Sequence, residues 1–393
     1  MDRKYVVLVA SVLIVLFFFS LVLAFEPFKQ VSARPFYVGV EFGFGSQFNQ
    51  VKAMVDEVKG YTNLFVLGSV TLTFNRTALD ESCNYIYNSG LNFIVLITQY
   101  PMYNASDGYP AGNDVFDWMG NATQRYGKQL LGFYRYDEPG GNQIDDGTFQ
   151  LITNNTLSPS QVASEYIENL GGVINYYATY GNRTGEKPAK MFTSDYALYW
   201  FDYQSDYSTV FGEFVGNESR QAVIALDRGA ANSFNRPWGA IVTWNSEFPN
   251  PESKTQLLSD LSTAYSEGAM YVVVFPFPTP GYSYWTLPSF DFEALQIFWS
   301  NLSTNPRQLG STPAKAAYIV PIDYGFGFRS ASDSIWGLFS SSSEPDTTKI
   351  WSDTQTLLTM YPDTLNIIYD NQTIIKPTLH QYSKFFYYNQ TVG

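Results

Sequence analysis

The chain is poor in charge, and in basic charge above all. Only 15% of its 393 residues are charged, and 36 acidic against 23 basic residues leave a formal net charge of −13. No basic patch is available to displace counterions from a phosphate backbone, so nucleic acid is not an expected partner. There is one cysteine, Cys83, and one histidine, His380. A lone cysteine allows no internal disulfide, and these counts argue against thiolate or His-rich metal centres and against Ser-His or Cys-His catalytic couples; no metal is expected. Cys83 stands at helical spacing from Leu79 and Ile86, on an apolar face where a thiol is inert. The stretch "DYGFGF" (323–328) lacks the third glycine and the helix start of a dinucleotide fingerprint, so no nucleotide cofactor is expected either. Acid–base chemistry, if the chain performs any, falls to carboxylates.

Apolar and aromatic residues are abundant. The chain is 45% hydrophobic and 18% aromatic, enough for a full core. Asp2, Arg3 and Lys4 precede "YVVLVASVLIVLFFFSLVLAF", an apolar run that marks residues 1–30 as a signal peptide or N-terminal membrane anchor. Val22 and Ala24 suit a processing site, while the length of the run suits a retained anchor. The basic flank keeps the N-terminus in the cytoplasm and sends the rest outside, secreted or held on the outer face of the cell membrane. N-x-S/T triplets at Asn75, Asn104, Asn121, Asn154, Asn182, Asn217, Asn301, Asn371 and Asn389 agree with a glycosylated exterior.

Short β-branched or aromatic runs recur along the chain: 35–44, 63–69, 91–98, 130–139, 190–200, 221–229 ("QAVIALDRG"), 238–245 and 269–278. Each reads as a buried strand. Helical segments lie between them. Ser158 caps and Pro159 opens one that carries Val162, Tyr166, Leu170, Val173 and Tyr177 on one stripe and stops at Gly181. Asn250 and Pro251 open another, with Leu257, Leu261 and Ala264 inward and Gly268 at its end. Strand and helix alternating eight times over residues 31–305, with strands apolar on both faces, predict a (β/α)₈ TIM barrel. Its weakest joint is "AANSFNRP", too short for a helix between the sixth and seventh predicted strands. Residues 306–393 read as a small C-terminal α/β unit: strand "KAAYIVPI", helix "TTKIWSDTQTLLTMY", strands "LNIIYDN" and "SKFFYYN".

In such a barrel the C-terminal strand ends converge on one pocket. Glu138 falls at the end of the fourth predicted strand, and Glu41, Asp195, Asp227 and Glu247 at or near others. Acids at strand ends also cap helices or pair with Arg135 and Arg228, and both roles remain open for them.

The segment "GFYRYDEP" followed by "WGAIVTWNSEF" resembles the clan A glycoside hydrolases, across residues 35–305. That family has an acid/base Glu after strand four and a nucleophilic Glu after strand seven. The resemblance implies Glu138 as acid/base and Glu247 as its partner. Asp137 stands where the family carries Asn, which alters the expected contact to the 2-hydroxyl of the sugar. On a regular strand Asp137 would face away from Glu138. Glu41, Asp137, Asp195, Asp227, Trp244, Tyr282 and Trp285 are the candidate substrate-binding residues, the rings offering flat faces to a pyranose. Two readings stand: an exported glycoside hydrolase, and a non-catalytic carbohydrate-binding or structural surface protein on the same scaffold.

Overall fold

Eight strands close into a parallel barrel in sequence order. The computed structural model describes residues 35–97, 113–145, 149–181, 188–243, 252–276, 283–304, 314–340 and 346–392. The strands are β1 (Tyr37–Phe42), β2 (Leu64–Leu67), β3 (Asn92–Leu96), β4 (Leu130–Tyr134), β5 (Met191–Asp195), β6 (Thr209–Phe214), β7 (Gly239–Val242) and β8 (Tyr271–Val274). Residues 37–40 of β1 pair with residues 271–274 of β8 and close the ring. This is the (β/α)₈ TIM barrel expected from the alternation.

The two-residue period of each strand divides its side chains between two cores. Leu64, Val66, Ile94, Phe192, Phe211 and Tyr271 point inward and fill the barrel. Phe65, Leu67, Val95 and Phe133 point outward and join the helices in a larger core. That double burial is why the strands lack a polar face, and each such side chain contributes about 1.5–3 kcal/mol.

The helices around the barrel are α1 (Phe48–Val58), α2 (Val70–Thr73), α3 (Arg76–Asn88), α4 (Asn113–Tyr126), α5 (Pro139–Ile144), α6 (Pro159–Tyr180), α7 (Tyr199–Gln204), α8 (Arg220–Ser233), α9 (Lys254–Ser266) and α10 (Ser289–Thr304). In α6 the Ser158 side chain accepts from the Gln161 N–H, Pro159 opens the helix, and Val162, Tyr166, Leu170 and Tyr177 are buried, with Val173 partly so. Cys83 is buried on α3 beside Leu79 and Ile86. The start of α9 differs from expectation: Ser253, not Asn250, caps it by accepting from the Gln256 N–H. Asn250 and Pro251 lie outside the described residues.

The sixth strand also differs. "QAVIALDRG" lies inside α8, a 14-residue helix capped by Ser219, and β6 is "TVFGEF" instead. The apolar run looked like a strand because α8 is buried on almost every side, against the barrel and the C-terminal sheet. Its reassignment removes the weak joint, since α8 itself is the crossover from β6 to β7.

The C-terminal segment builds β9 (Ala316–Val320), α11 (Thr347–Met360), β10 (Leu365–Tyr369), α12 (Gln372–Ile375) and β11 (Lys384–Tyr387), with the three strands parallel in the order β10-β9-β11. It packs on the barrel helices, and residues Phe36–Gly393 form one compact unit. Arg228 of α8 ties the two parts: its guanidinium pairs with Glu267 at 2.5 Å and donates to Asn366 Oδ1 at 2.9 Å and the Leu365 carbonyl at 2.8 Å. Trp200 and Phe201 of α7 lie 5.3 and 5.1 Å from the Tyr369 ring. The expected boundary near 305 and the expected N-terminal anchor both fall outside the described residues. Of the triplet asparagines that are described, Asn75, Asn121, Asn154, Asn217, Asn301 and Asn389 are exposed and Asn371 is half-buried.

Candidate functional site

The inward positions at the C-terminal ends of the strands enclose a cavity of about 210 Å³. Its walls are Glu41 from β1, Tyr134 from β4, Ser194 from β5, Glu213 from β6, Ile241 from β7, and Phe44, Asp137, Glu138, Thr243 and Phe275 from just beyond strand ends. A second cavity of about 730 Å³ shares Glu41, Tyr134, Asp137 and Glu138 and extends past Val70, Tyr136, Phe149 and Leu151.

The "DEPGG" segment is built to hold Glu138 there. The strand proper ends at Tyr134, and Tyr136 and Glu138 adopt left-handed backbone conformations, φ 57° and 51°. Non-glycine residues rarely sit in this region, and such strain concentrates at functional sites. The segment is stitched to β5: Arg135 N–H donates to the Phe192 carbonyl at 3.0 Å, and Glu138 N–H to the Ser194 carbonyl at 3.1 Å. The Thr193 hydroxyl donates to the Tyr136 carbonyl at 2.9 Å. Two left-handed residues re-aim the chain, so Asp137 and Glu138 both line the cavity. The expectation that they face opposite ways fails because it assumes a strand that has already ended.

Asp195 explains the two glycines. As an outward residue of β5 it turns away from the cavity and under the segment. Its carboxylate accepts from Gly140 N–H (2.5 Å), Gly141 N–H (2.8 Å), Tyr196 N–H (2.8 Å) and Ala197 N–H (3.0 Å). A Cβ at Gly140 would lie 2.6 Å from the Ala197 carbonyl oxygen, and one at Gly141 2.1 Å from the Tyr196 ring. Burial raises the Asp195 pKa to about 6, against the pull of these N–H donors. Burial and the Asp195 charge push its neighbour Asp202 well above the carboxylate range. A protonated Asp202 gives Asp195 its remaining hydrogen bond and accepts from the Tyr166 hydroxyl at 2.9 Å.

The acids in the cavity are linked. The Tyr134 hydroxyl lies 2.6 Å from Asp137 Oδ1 and 2.9 Å from Ser194 Oγ, which lies 2.7 Å from Glu213 Oε1. Glu138 and Glu213 lie side by side, and a hydrogen bond from Glu213 opposes the rise of the Glu138 pKa. Burial, with Asp137 and Asp195 nearby, raises Glu138 to about 7. Burial, with Glu138 and Asp137, pushes Glu213 well above its ordinary range. Asp137 is raised by burial against the opposing hydrogen bonds of Tyr134 and Ser194, and Glu41 is raised to about 8 by burial and by Asp137. The arrangement stores protons at neutral pH, which a general acid requires.

Of the residues singled out in the sequence, Glu41, Asp137 and Glu138 come together here. Asp195 lines neither cavity and acts through the backbone beneath Glu138. Asp227 stands in α8, not at a strand end, where it is buried and accepts from Gly212 N–H at 3.1 Å. Trp285 is half-buried against the outer core and lines neither cavity. Trp244, Glu247 and Tyr282 lie outside the described residues. Glu213 is the residue the sequence reading missed. Its signal is local: Phe211 and Glu213 share the inward face of "TVFGEF", which places the acid one step above the barrel filling.

No protein-family model and no curated protein matches the chain. Its fold is similar to that of GH5_18 from Streptomyces cattleya in complex with GlcNAc, with TM-score 0.52, 12% identity, and 91% of this chain and 99% of that one covered. A variant of that protein in complex with Manb1-4GlcNAc matches with TM-score 0.53 and 10% identity over 90% of this chain and 99% of that one. A GH5_18 from Bifidobacterium longum subsp. infantis matches with TM-score 0.51 and 9% identity over 91% and 98%. These neighbours are (β/α)₈ glycoside hydrolases of clan A.

Proposed function

We propose that this chain hydrolyses glycosidic bonds at the mouth of its barrel, with Glu138 as the acid/base. One observation carries the reading: Glu138 is held in a strained, glycine-dependent loop over a small acidic cavity, with its pKa raised to about 7. A carboxyl of that kind keeps a proton for the departing oxygen. As the bond between the anomeric carbon and that oxygen breaks, Glu138 gives up its proton, and a second carboxylate attacks the carbon or activates water. Glu213 is too close to be that second group. Carboxyls in direct hydrogen bond leave no space for a sugar carbon, whereas the reaction needs them about 5 Å apart or more. Glu213 instead holds its own proton beside Glu138, while burial and the Asp137 and Asp195 charges keep a proton available on Glu138; Glu247, beyond β7, supplies the second carboxylate.

Carbohydrate is the partner, with Phe44 and Phe275, whose rings meet edge-on at 5.4 Å, presenting an apolar wall to one sugar ring. The fold likeness to proteins solved with GlcNAc and Manb1-4GlcNAc supports the same substrate class. The apolar N-terminal run and the exposed N-x-S/T asparagines support an exported protein acting outside the cell. The test is hydrolysis of an oligosaccharide panel by the purified protein and by Glu138→Gln. Cleavage lost in the variant, with binding retained, supports the reading. Binding without cleavage by either protein indicates a carbohydrate-binding surface protein instead.

A further inference from the structure

Four carboxyls line the smaller cavity, and among the described residues no Lys, Arg or His lines it with them. Arg135 lines the larger cavity but is engaged elsewhere: its guanidinium lies 4.6 Å from the Tyr136 ring centroid and 4.2 Å from that of Tyr177, and donates to the Ile97 carbonyl at 3.2 Å. Three of the acids have occupations. Glu138 and Glu213 share a hydrogen bond, and Asp137 is held by Tyr134 and Ser194.

Glu41 is left over. It is only 8% exposed, it lines both cavities, and it has no hydrogen-bond partner among the described residues. The fold makes room for its carboxyl, because a Cβ at position 68 would lie 1.7 Å from Glu41 Oε1 and Gly68 has none. A buried, unpartnered carboxyl is costly unless something binds it. Among the described residues no group of three or more acids, His or Cys is arranged to hold a metal ion. An ammonium supplies both things that Glu41 lacks, a positive charge and hydrogen-bond donors.

We propose that the cavity receives a sugar residue bearing a free, protonated amine, a non-acetylated amino sugar, with Glu41 as the carboxyl that releases its proton to solvent on binding and takes the ammonium. The inference rests on the glycosidase reading for the sugar and adds the amine. A charge-assisted hydrogen bond in a buried site gives about a tenfold preference.

The experiment titrates the full chain by calorimetry with a chitosan oligosaccharide, its fully N-acetylated counterpart and an uncharged β-1,4-linked hexose oligomer of the same length, and follows hydrolysis of each. Thermal melts confirm that Glu41→Gln is folded. The expected result is tightest binding of the free amine, by about tenfold, with the preference abolished in Glu41→Gln. Equal affinities, no binding of the amine, or a preference that survives in Glu41→Gln overturns the proposal. The two readings fail separately. Hydrolysis of the uncharged oligomer with no preference for the amine overturns the amine proposal and keeps the glycosidase. Amine-selective binding that depends on Glu41, with no hydrolysis of any oligomer, does the reverse.

Discussion

Asp195 and Asp202 carry opposite assignments that isosteric substitution separates. Asp195 is ionised and accepts four backbone N–H bonds, while Asp202 is protonated, donates to Asp195 and accepts from Tyr166. An amide at position 202 reproduces both roles, its NH₂ facing Asp195 and its oxygen facing Tyr166. Asp202→Asn is therefore expected to change stability by less than about 1 kcal/mol. Asp195→Asn must turn an NH₂ group toward N–H donors. The Gly140, Gly141 and Ala197 N–H bonds are all buried, and each buried donor left unpaired costs about 1–3 kcal/mol. A loss of about 3–5 kcal/mol follows, a large fraction of the stability of a typical domain. Under the proposed mechanism turnover falls as well, by about a hundredfold, because Glu138 depends on that anchor for its placement. Urea denaturation followed by circular dichroism measures the first effect and turnover the second. Equal stability of wild type and Asp195→Asn, or comparable damage from Asp202→Asn, refutes the assignment of the protons.

Further outcomes follow from the same geometry. Gly141→Ala drives a methyl into the Tyr196 ring and should cost about 1–3 kcal/mol, with Tyr196→Leu restoring part of the loss in the double variant; additive losses contradict the contact. Glu41 keeps its proton to about pH 8 in the folded protein but only to its ordinary 4.5 when unfolded. The folded state thus binds more protons between these values, so this contribution is complete below pH 4.5 and is lost as pH rises through 8. Denaturation midpoints at pH 5 and pH 8 should differ less in Glu41→Gln than in wild type, and an unchanged difference speaks against the buried acid. Arg228→Met leaves Glu267 buried without its partner and should destabilise by about 3–5 kcal/mol, whereas Arg228→Met with Glu267→Leu should recover much of it. Failure of the second change to rescue the first would place the effect elsewhere.

Most of the barrel is legible in the sequence because its strands are apolar on both faces and its longer helices carry ordinary caps. Ser158, Pro159 and Gly181 mark α6 to the residue. The failure at the sixth strand has a physical cause. Between β5 and β6 lies only α7, six residues long, whereas α8 is buried nearly all round and so shows an apolar run in place of a stripe. That displacement hid Glu213 and lent Asp227 a strand end it does not have. Glu138 was legible from its position before a proline and two glycines. Asp137 was legible as a substrate-binding candidate, but its orientation was not, because it depends on two left-handed residues that no strand periodicity anticipates. Asp195 was found as an acid at a strand end, but its role follows from facing outward, one residue past the inward Ser194.

The most direct test of the central claim compares leaving groups. The dinitrophenolate of a dinitrophenyl glycoside departs without protonation, whereas under the proposed mechanism an oligosaccharide needs a proton from Glu138. Glu138→Gln should lose about 10²–10⁴-fold in turnover of the oligosaccharide and little in the cleavage of the dinitrophenyl glycoside. Equal losses on both substrates, or none on either, would contradict Glu138 as the acid.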